Sequence, residues 1–306
     1  MPQQDGVLVL RKPGGPSSGW CIGRIKRLLS QKKIGHAGTL DPMAEGVLVV
    51  LLGQATKISA FLLDGRKVYS GTIQLGVDTD TWDAQGRVLS RQPADHITQA
   101  EVDSAFADLT GLAEQEVPPY SAAKHQGRPL YALARKGLPV PVRKKTVTIF
   151  REEAELVGLA RVRFRVTCSS GTYIRSLAHS LGKRLGCGAM LTELIREYSH
   201  PYPLSMAHSL EEVLCEPERF AQKVTGLAGA LPLWPKIPLN REEAGWARQG
   251  RTLPHDPARP AEADCLPGAR SILLAPSGEP LALASLVLEG GLARWAVMRG
   301  LWNQEA

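Results

Sequence analysis

GHAGTLDPMAEGVLVVLLG, residues 35–53, is the stretch that decides the fold. Its second half, 46–53, is a continuous apolar run bounded by glycines, which is typical of a buried strand. Its first half, 35–45, is punctuated by glycines and is predicted to be a loop. The loop holds Asp41, which Pro42 biases towards an extended conformation. The sequence therefore predicts an acidic loop that enters a buried strand, with the carboxylate either capping a turn or acting in catalysis.

Short predicted strands and helices flank this strand in the sequence. Hydrophobic periodicity predicts strands at 6–12, 67–77 and 161–166, and a turn with a further strand in 78–90. It also predicts helices near 18–29, 58–62, 98–110, 130–136, 172–186 and after Ser209. Strands outnumber helices without a regular alternation of the two, which favours an α+β fold.

The composition changes near the end of the chain. LPLWPKIPL, residues 231–239, is a proline-punctuated linker. Short strands are predicted beyond it at 271–274, 280–288 and 293–299. We therefore expect two domains, at 1–233 and 234–306, the second small and rich in β-structure.

Charge is unevenly distributed along the 306 residues, which carry 37 Lys and Arg, 30 Asp and Glu, and a net charge of +7. Three windows, 6–40, 117–151 and 156–192, contain no acidic residue and hold seven, eight and six basic residues. Each window taken alone is better explained by a solvated face. Three such windows favour a surface that attracts a polyanion, most simply a nucleic acid.

Several classes of function lack their sequence signals. Residues 1–13 lack a signal-peptide pattern, and the longest apolar run, 47–52, is too short to span a bilayer, so a cytoplasmic location and no membrane contact are expected. The five cysteines form no CxxC motif, and the acidic segment 78–83 does not fit a calcium loop, so no metal site is expected. No P-loop or dinucleotide motif indicates a cofactor.

Arg175 provides a candidate partner for the acidic loop. It lies in the first turn of a predicted helix with an apolar face, beside Tyr173. A partly buried arginine needs a carboxylate, and Asp41 is a candidate because it also borders an apolar strand. The alternative is an arginine that points to solvent or to a phosphate.

Five ordered blocks carry a resemblance to a known family. They are LRKPGGPSS at 10–18, GHAGTLDPMAEGVLVVLLGQATK at 35–57, KVYSGTIQLGVDTDTWDAQG at 67–86, PPYSAAKHQGRPLYALARKG at 118–137 and CSSGTYIRSLAHSLGKRLGCGA at 168–189. Over residues 5–205 the chain resembles the TruB family of bacterial tRNA pseudouridine synthases. One departure is Leu-Ile-Arg at 194–196, where the family often has Leu-Arg-Arg.

The resemblance implies a fold and a reaction. The implied fold is a mixed, mainly antiparallel sheet flanked by helices, with a C-terminal PUA-like domain. The implied activity is isomerisation of the uridine at position 55 in the tRNA T loop to pseudouridine, without a cofactor. It implies tRNA as the partner, with no protein partner, and a monomeric enzyme.

The resemblance also assigns site residues. It implies Asp41 as the catalytic aspartate, Tyr69 as the active-site tyrosine and Arg175 as the ion-paired arginine. It places Leu194 beside the target base, lets His36 fill space in the remodelled T loop, and makes 120–150 an RNA-gripping thumb. The other substrate contacts expected from the matched blocks and basic windows are Lys12, Lys124, Arg143, Lys144 and Tyr173.

Two other functions compete with this one. A non-catalytic RNA-binding protein would explain the basic windows equally well, but not an acid in a glycine-shaped basic pocket, because a carboxylate repels phosphate. A methyltransferase would need a nucleotide-cofactor loop, and a zinc deaminase would need an H-x-E motif with P-C-x-x-C. The sequence contains neither.

Overall fold

The computed structural model describes residues 3–158 and 160–302, so the ends of both predicted domains lie partly outside the described residues. The strands of the first part are β1 (Gly6–Lys12), β2 (Ile34–Ala37), β3 (Glu45–Leu52), β4 (Lys67–Leu75), β5 (Val77–Thr79), β6 (Val88–Arg91), β7 (Gly111–Glu116), β8 (Lys124–His125), β9 (Arg128–Pro129), β10 (Lys144–Val157), β11 (Arg161–Cys168), β12 (Ala189–Ser199), β13 (Tyr202–Pro203), β14 (His208–Ser209) and β15 (Val224–Gly226). The strands of the second part are β16 (Lys236–Pro238), β17 (Leu253–Pro254), β18 (Arg270–Leu274), β19 (Pro280–Glu289) and β20 (Leu292–Gly300).

Seven α-helices are found in the described ranges. They are α1 (Ser18–Leu29), α2 (Ser59–Leu63), α3 (Gln99–Ala107), α4 (Leu130–Ala134), α5 (Ile174–Arg184), α6 (Leu210–Cys215) and α7 (Arg241–Arg248). Short 3₁₀ helices lie at Gly53–Ile58, Leu204–Met206 and Pro217–Lys223. Side-chain caps begin several of these helices: Ser17 accepts a hydrogen bond at α1, and Ser209 forms the predicted capping box at α6. None of these helices is long and apolar enough to cross a membrane.

An eleven-stranded sheet organises the first part of the chain. Its main path runs β14-β1-β3-β12-β4-β11-β10-β7, with β2, β13 and β15 paired to its members. The pairs β1–β14 and β3–β12 are parallel, and the other pairs in this sheet are antiparallel. The predicted α+β class and mainly antiparallel sheet are therefore confirmed.

The predicted buried strand is β3, which lies in the middle of this sheet. One apolar cluster packs its Leu48, Val50 and Leu52 against α1 and α5. A second cluster joins the alternate residues of β1 and β3 to the C-terminal sheet through Ile272 and Leu283. Because β3 is covered on both faces, its sequence is continuously apolar and does not alternate.

The C-terminal strands form a separate sheet in the order β16-β18-β19-β20-β17. This sheet has its own core, which includes Trp295 and residues of α7. All three strands predicted beyond the linker are present as β18, β19 and β20. Helix α7 was not predicted.

Three local predictions were wrong or incomplete. Residues 35–37, predicted as part of a loop, belong to β2 because they pair with the end of β3. Helix α5 begins at Ile174, and Thr172 instead donates a hydrogen bond to the Ser169 carbonyl. The long strands β10 and β12 were not predicted.

Candidate active site

A cavity of about 510 Å³ opens where the 38–41 loop meets strands β4 and β12. The base of the predicted thumb, 121–123, and the segment 170–175 form further parts of its wall, together with Leu63, Asp64 and Lys145. Five of the residues expected at the site line it: Asp41, Tyr69, Tyr173, Arg175 and Leu194. Side chains that are far apart in the sequence therefore meet in one concave site.

An ion pair joins the acidic loop to helix α5. Arg175 Nε donates to Asp41 Oδ2 at 2.8 Å, and its Nη2 donates to Oδ1 at 3.0 Å. The arginine side chain is 4% exposed, whereas the aspartate is 35% exposed. This bidentate geometry orients the carboxylate and leaves it accessible from the cavity. Arg175 therefore does not point to solvent, which was the alternative left open by the sequence.

The rest of the Arg175 guanidinium is also occupied. It donates to the carbonyls of Thr81 and Tyr120 at 3.1 and 3.0 Å. Its Nε lies 3.6 Å from Asp83 Oδ2, so one arginine lies between two carboxylates. Asp83 is itself held by hydrogen bonds from the Thr81 hydroxyl and the Gln85 amide. The sequence signal for Asp83 was its place in the acidic segment 78–83, which was considered only as a calcium loop.

Lys12 holds the acidic loop in place through hydrogen bonds to its backbone. Its side chain is fully buried, and Nζ donates to the carbonyls of Pro13, Pro42 and Ala44 at 2.8, 3.0 and 2.6 Å. Burial lowers the pKa of this ammonium. Lys12 was expected to contact the substrate, but this position is that of a structural residue, because the ammonium is enclosed by backbone carbonyls.

Tyr69 and Leu194 lie on the neighbouring strands β4 and β12, and both are buried. The register pairs Tyr69 with Arg196, two residues beyond Leu194. Burial raises the pKa of the Tyr69 phenol, and the nearby charge of Arg196 opposes this shift. The two side chains therefore give the cavity a neutral, mainly apolar wall, which suits a flat heterocycle.

Tyr173 lies at the start of α5, on the other side of the cavity. Its backbone amide donates to Gln115 Oε1 at 2.8 Å, which ties α5 to strand β7. Burial raises the pKa of its phenol.

Two buried cations in the cavity wall were not predicted. Lys67 begins β4, and Arg196 lies near the end of β12. Arg196 packs against the point where the acidic loop enters β3, since a Cβ on Gly46 would lie 2.3 Å from the Arg196 carbonyl oxygen. Gly46 has a φ of +100°, so glycine is required there for both reasons.

His36 lies in β2, opposite Val50, and is not among the residues that line the cavity. It is half-buried, and its buried Nδ1 has no hydrogen-bond partner among the described residues. Burial and the charge of Arg196 lower its pKa, so the imidazole is neutral at physiological pH. A neutral ring at the edge of the site is compatible with a space-filling role.

The expected thumb contacts lie on an exposed segment that leads out of the site. The hairpin β8–β9 and helix α4 project between β7 and β10. Arg143 donates to the Lys124 carbonyl, which brings these two exposed cations together. Lys144 forms an exposed ion pair with Glu114 at 3.1 Å. The structure therefore groups Lys124 with Arg143, and it partly neutralises Lys144.

The third basic window does not form a basic surface. Its arginines at 161, 163 and 165 lie on the exposed face of β11, as the alternation predicted. Acidic residues of β10 stand beside two of them, with Glu155 opposite Arg163 and Glu153 opposite Arg165. Arg165 also pairs with Glu197 of β12 at 2.8 Å. The prediction of a single-sign field was therefore wrong here, because flanking strands supply the missing acids.

No cluster of three possible metal ligands occurs within the ranges described. The cavity contains the ion-paired carboxylate of Asp41, an apolar wall and several hydrogen-bond donors. Such a site can hold a planar base and present a carboxylate to it or to its sugar.

Known proteins similar to this chain identify its family. Residues 26–174 match the model of the TruB family pseudouridylate synthase N-terminal domain. The chain is 57% identical over 302 residues to the tRNA pseudouridine synthase B of Nitratidesulfovibrio vulgaris strain Hildenborough, covering 98% of this chain and 99% of that one. It is 56% identical over 304 residues to the protein of the same name from Oleidesulfovibrio alaskensis, covering 99% and 98%.

Solved structures extend the likeness to the whole fold. A chain of a crystallised Cbf5–Nop10–Gar1 complex superposes with a TM-score of 0.73 at 25% identity, covering 98% of this chain and 86% of that one. A chain of an archaeal Nop10–Cbf5 complex gives a TM-score of 0.69 and covers 99% of this chain. The superposition includes the C-terminal sheet, which confirms the predicted PUA-like fold. On sequence and structure together, the chain belongs to the TruB family of pseudouridylate synthases.

Proposed function

We propose that this chain isomerises the uridine at position 55 of the tRNA T loop to pseudouridine, with Asp41 as the catalytic carboxylate. Family membership makes the chain a pseudouridine synthase, and the relatives named tRNA pseudouridine synthase B point to tRNA as its substrate. The observation that carries our proposal is the ion pair of Asp41 with Arg175 at the cavity.

The shape of the site supports a flipped-out nucleotide. The cavity of about 510 Å³ has room for one pyrimidine nucleotide. An enzyme that acts on the atoms of a base takes that base out of its stack. Tyr69 and Leu194 would hold the flipped uracil, because they are the buried apolar groups on the strand wall.

The chemistry needs no redox partner. The N1–C1′ bond of uridine breaks, the uracil turns, and a C5–C1′ bond forms, so substrate and product have the same composition. A carboxylate held in a fixed orientation can form a covalent bond to an electron-poor carbon or stabilise the developing positive charge on the sugar. Arg175 serves as the residue that positions Asp41, and Asp83 extends this network.

We assign RNA binding to two further parts of the chain. Residues 120–150 would act as a thumb, since Tyr120 and Ser121 at its base contact or line the site while its cations are exposed. The C-terminal unit from residue 234 would extend the RNA contact. Shape and phosphate contacts would hold the folded RNA. A monomeric state and a cytoplasmic location remain predictions.

The direct test is to map the product. The enzyme is incubated with an unmodified tRNA transcript, and pseudouridine is located by carbodiimide modification and primer extension. A matched transcript with cytidine at position 55 is the control. We expect one modified site, at position 55, that is lost in the control transcript. Modification at another uridine, or none, would refute the assignment.

A further inference from the structure

Two buried cations in the cavity wall have no acidic partner. Lys67 is 4% exposed, and its Nζ donates to the carbonyls of Leu63 and Gly65 at 2.9 and 3.1 Å. Arg196 is 1% exposed, and donates to the carbonyls of Val47 and Gly38 at 2.6 and 2.9 Å. Across residues 3–158 and 160–302, neither side chain forms an ion pair.

Arg175 in the same cavity provides a contrast, because it lies between Asp41 and Asp83. Removing a cation from water is costly, and carbonyl dipoles compensate for only part of that cost. Consistent with this, burial and then the nearby charge of Arg196 lower the pKa of Lys67 to about 8. Two unpaired cations at a ligand cavity indicate a ligand that becomes negatively charged there.

The position of the two cations identifies the part of the ligand they face. Lys67 and Tyr69 lie two residues apart on β4, and the register pairs Tyr69 with Arg196. Burial raises the pKa of the Tyr69 phenol most, the charge of Arg196 lowers it, and the charge of Asp41 raises it. The cations therefore flank the wall proposed to hold the uracil, within the field of the acidic loop.

The proposed reaction places negative charge on that base. When the N1–C1′ bond breaks heterolytically, both bonding electrons stay with the uracil, and the positive charge stays on the sugar. The uracil anion spreads its charge over N1, O2 and O4. When C5 then bonds to C1′, the C5 proton is lost and N1 gains a proton, so the atoms and electrons balance. A cation beside the base stabilises the anion and not the neutral substrate.

We propose that Lys67 and Arg196 stabilise the negative charge that develops on the uracil while it is detached from the sugar. This inference rests on the proposed function. In this proposal the two cations stabilise the negative charge on the uracil, and Asp41 stabilises the positive charge on the sugar. A phosphate contact is the competing role, and it fits less well, because both cations lie on the buried strand wall and not on the exposed thumb.

Lys67→Met tests the proposal with less disturbance than a change at Arg196, which also holds the acidic loop. The single-turnover rate of pseudouridine formation is measured at saturating tRNA, together with tRNA affinity and its salt dependence. Lys67→Arg keeps the charge. Lys57→Met is the matched control, since Lys57 also donates to a backbone carbonyl, that of Trp302, and does not line the cavity.

We expect Lys67→Met to lower the rate by about 100-fold, the usual effect of removing one donor to a developing anion. Affinity and its salt slope should stay unchanged, Lys67→Arg should recover most of the rate, and Lys57→Met should match the wild type. A rate for Lys67→Met equal to that of the wild type would overturn the proposal. So would weaker binding with a flatter salt slope, which is the signature of a phosphate contact.

The pH profile gives a second readout. Because Lys67 has a lowered pKa of about 8, its charged form is lost as pH rises through that value. The wild-type rate should therefore fall above pH 8, and the rate of Lys67→Arg should not. The titratable and charged groups facing Lys67 are Arg196, Cys168, Asp64, Lys145 and His200. All of them are present in both proteins, so an identical fall in both would assign the titration to a neighbour and contradict the proposal.

Failure of this inference differs from failure of the proposed function. A wild-type enzyme that forms no pseudouridine at position 55 refutes the proposed function. A wild-type enzyme that does so, with a Lys67→Met variant that is equally fast, refutes only the role of the cations. Thermal unfolding of each variant completes the test, because a merely structural Lys67 would lower the rate and the Tm together in both Lys67→Met and Lys67→Arg.

Discussion

Replacement of Arg175 by lysine should separate orientation of the carboxylate from the simple presence of a positive charge. The guanidinium makes four hydrogen bonds of 2.8 to 3.1 Å, two to Asp41 and one each to the carbonyls of Thr81 and Tyr120. A lysine carries its three N–H groups on one atom and cannot reproduce this planar fork. We expect Arg175→Lys to keep one bond to Asp41 and to lose the second.

The magnitude follows from the lost bonds. A hydrogen bond to a charged group contributes about 1.5–3 kcal/mol. At about 1.4 kcal/mol for each factor of ten, loss of one bond to Asp41 corresponds to a rate reduced by about 10- to 150-fold. The carbonyls of Thr81 and Tyr120 would be left without a donor, which should lower the free energy of unfolding by about 1–3 kcal/mol. Arg175 is 4% exposed but Asp41 is 35% exposed, so solvent screening favours the lower end of the range for the bond to Asp41.

The assay is single-turnover formation of pseudouridine at saturating tRNA, with affinity measured by filter binding and stability by thermal unfolding. Lys144→Ala is the comparison, because this exposed lysine is expected to make one RNA contact among many. We expect a large loss of rate at unchanged affinity for Arg175→Lys, and a small loss of affinity for Lys144→Ala. Equal losses of affinity in both variants, without a loss of rate, would reduce Arg175 to an ordinary RNA contact.

Two further predictions concern the surroundings of the ion pair and the thumb. Asp83→Asn should lower the rate about tenfold without weakening tRNA binding, since it removes the second carboxylate beside the guanidinium; an unchanged single-turnover rate would contradict this. Combined replacement of Arg143, Lys144 and Lys145 by alanine should weaken binding and flatten its salt dependence, by up to about one unit of log–log slope for each lost phosphate contact. An unchanged salt slope, together with amide hydrogens in 120–150 already protected without tRNA, would refute the thumb.

The sequence predicted the acidic loop and its partner because both signals are local. An apolar run bounded by glycines identifies β3, and an arginine in the first turn of an apolar helix needs a carboxylate. The contact between Asp41 and Arg175, 134 residues apart, could then be suggested as one of two alternatives, because Asp41 also borders an apolar strand. The resemblance added Tyr69 and Leu194, which periodicity alone does not distinguish from core residues.

Strand β12, which supplies Leu194 and Arg196, was not predicted, because its buried positions do not follow the two-residue period of a strand. Its buried positions are 189, 191, 194, 196 and 199, so the spacing changes between two and three residues. Register shifts between Leu191 and Glu193, and between Arg196 and Tyr198, cause this change. A bulge inserts one residue and reverses the alternation of faces, which hides the two-residue period of a strand. Strand β10 has a similar shift between Ile149 and Arg151.

Charge patterns along the chain were a weaker guide than motifs. The basic window 156–192 is free of acids in the sequence, yet Arg163 and Arg165 lie beside glutamates of β10 and β12 in the sheet. Lys12 was likewise assigned to RNA from its place in a basic window, and it is buried against carbonyls. In both cases the neighbours that decide the role of the charge come from distant parts of the chain.

The central claim is that Asp41 carries the chemistry. The most direct measurement is the single-turnover rate of Asp41→Asn on an unmodified tRNA transcript, with affinity measured in parallel and Asp95→Asn, at an exposed position, as the control. We predict no detectable pseudouridine from Asp41→Asn, tRNA affinity close to that of the wild type, and a normal rate from Asp95→Asn. Pseudouridine formed by Asp41→Asn at a rate near that of the wild type would contradict the account.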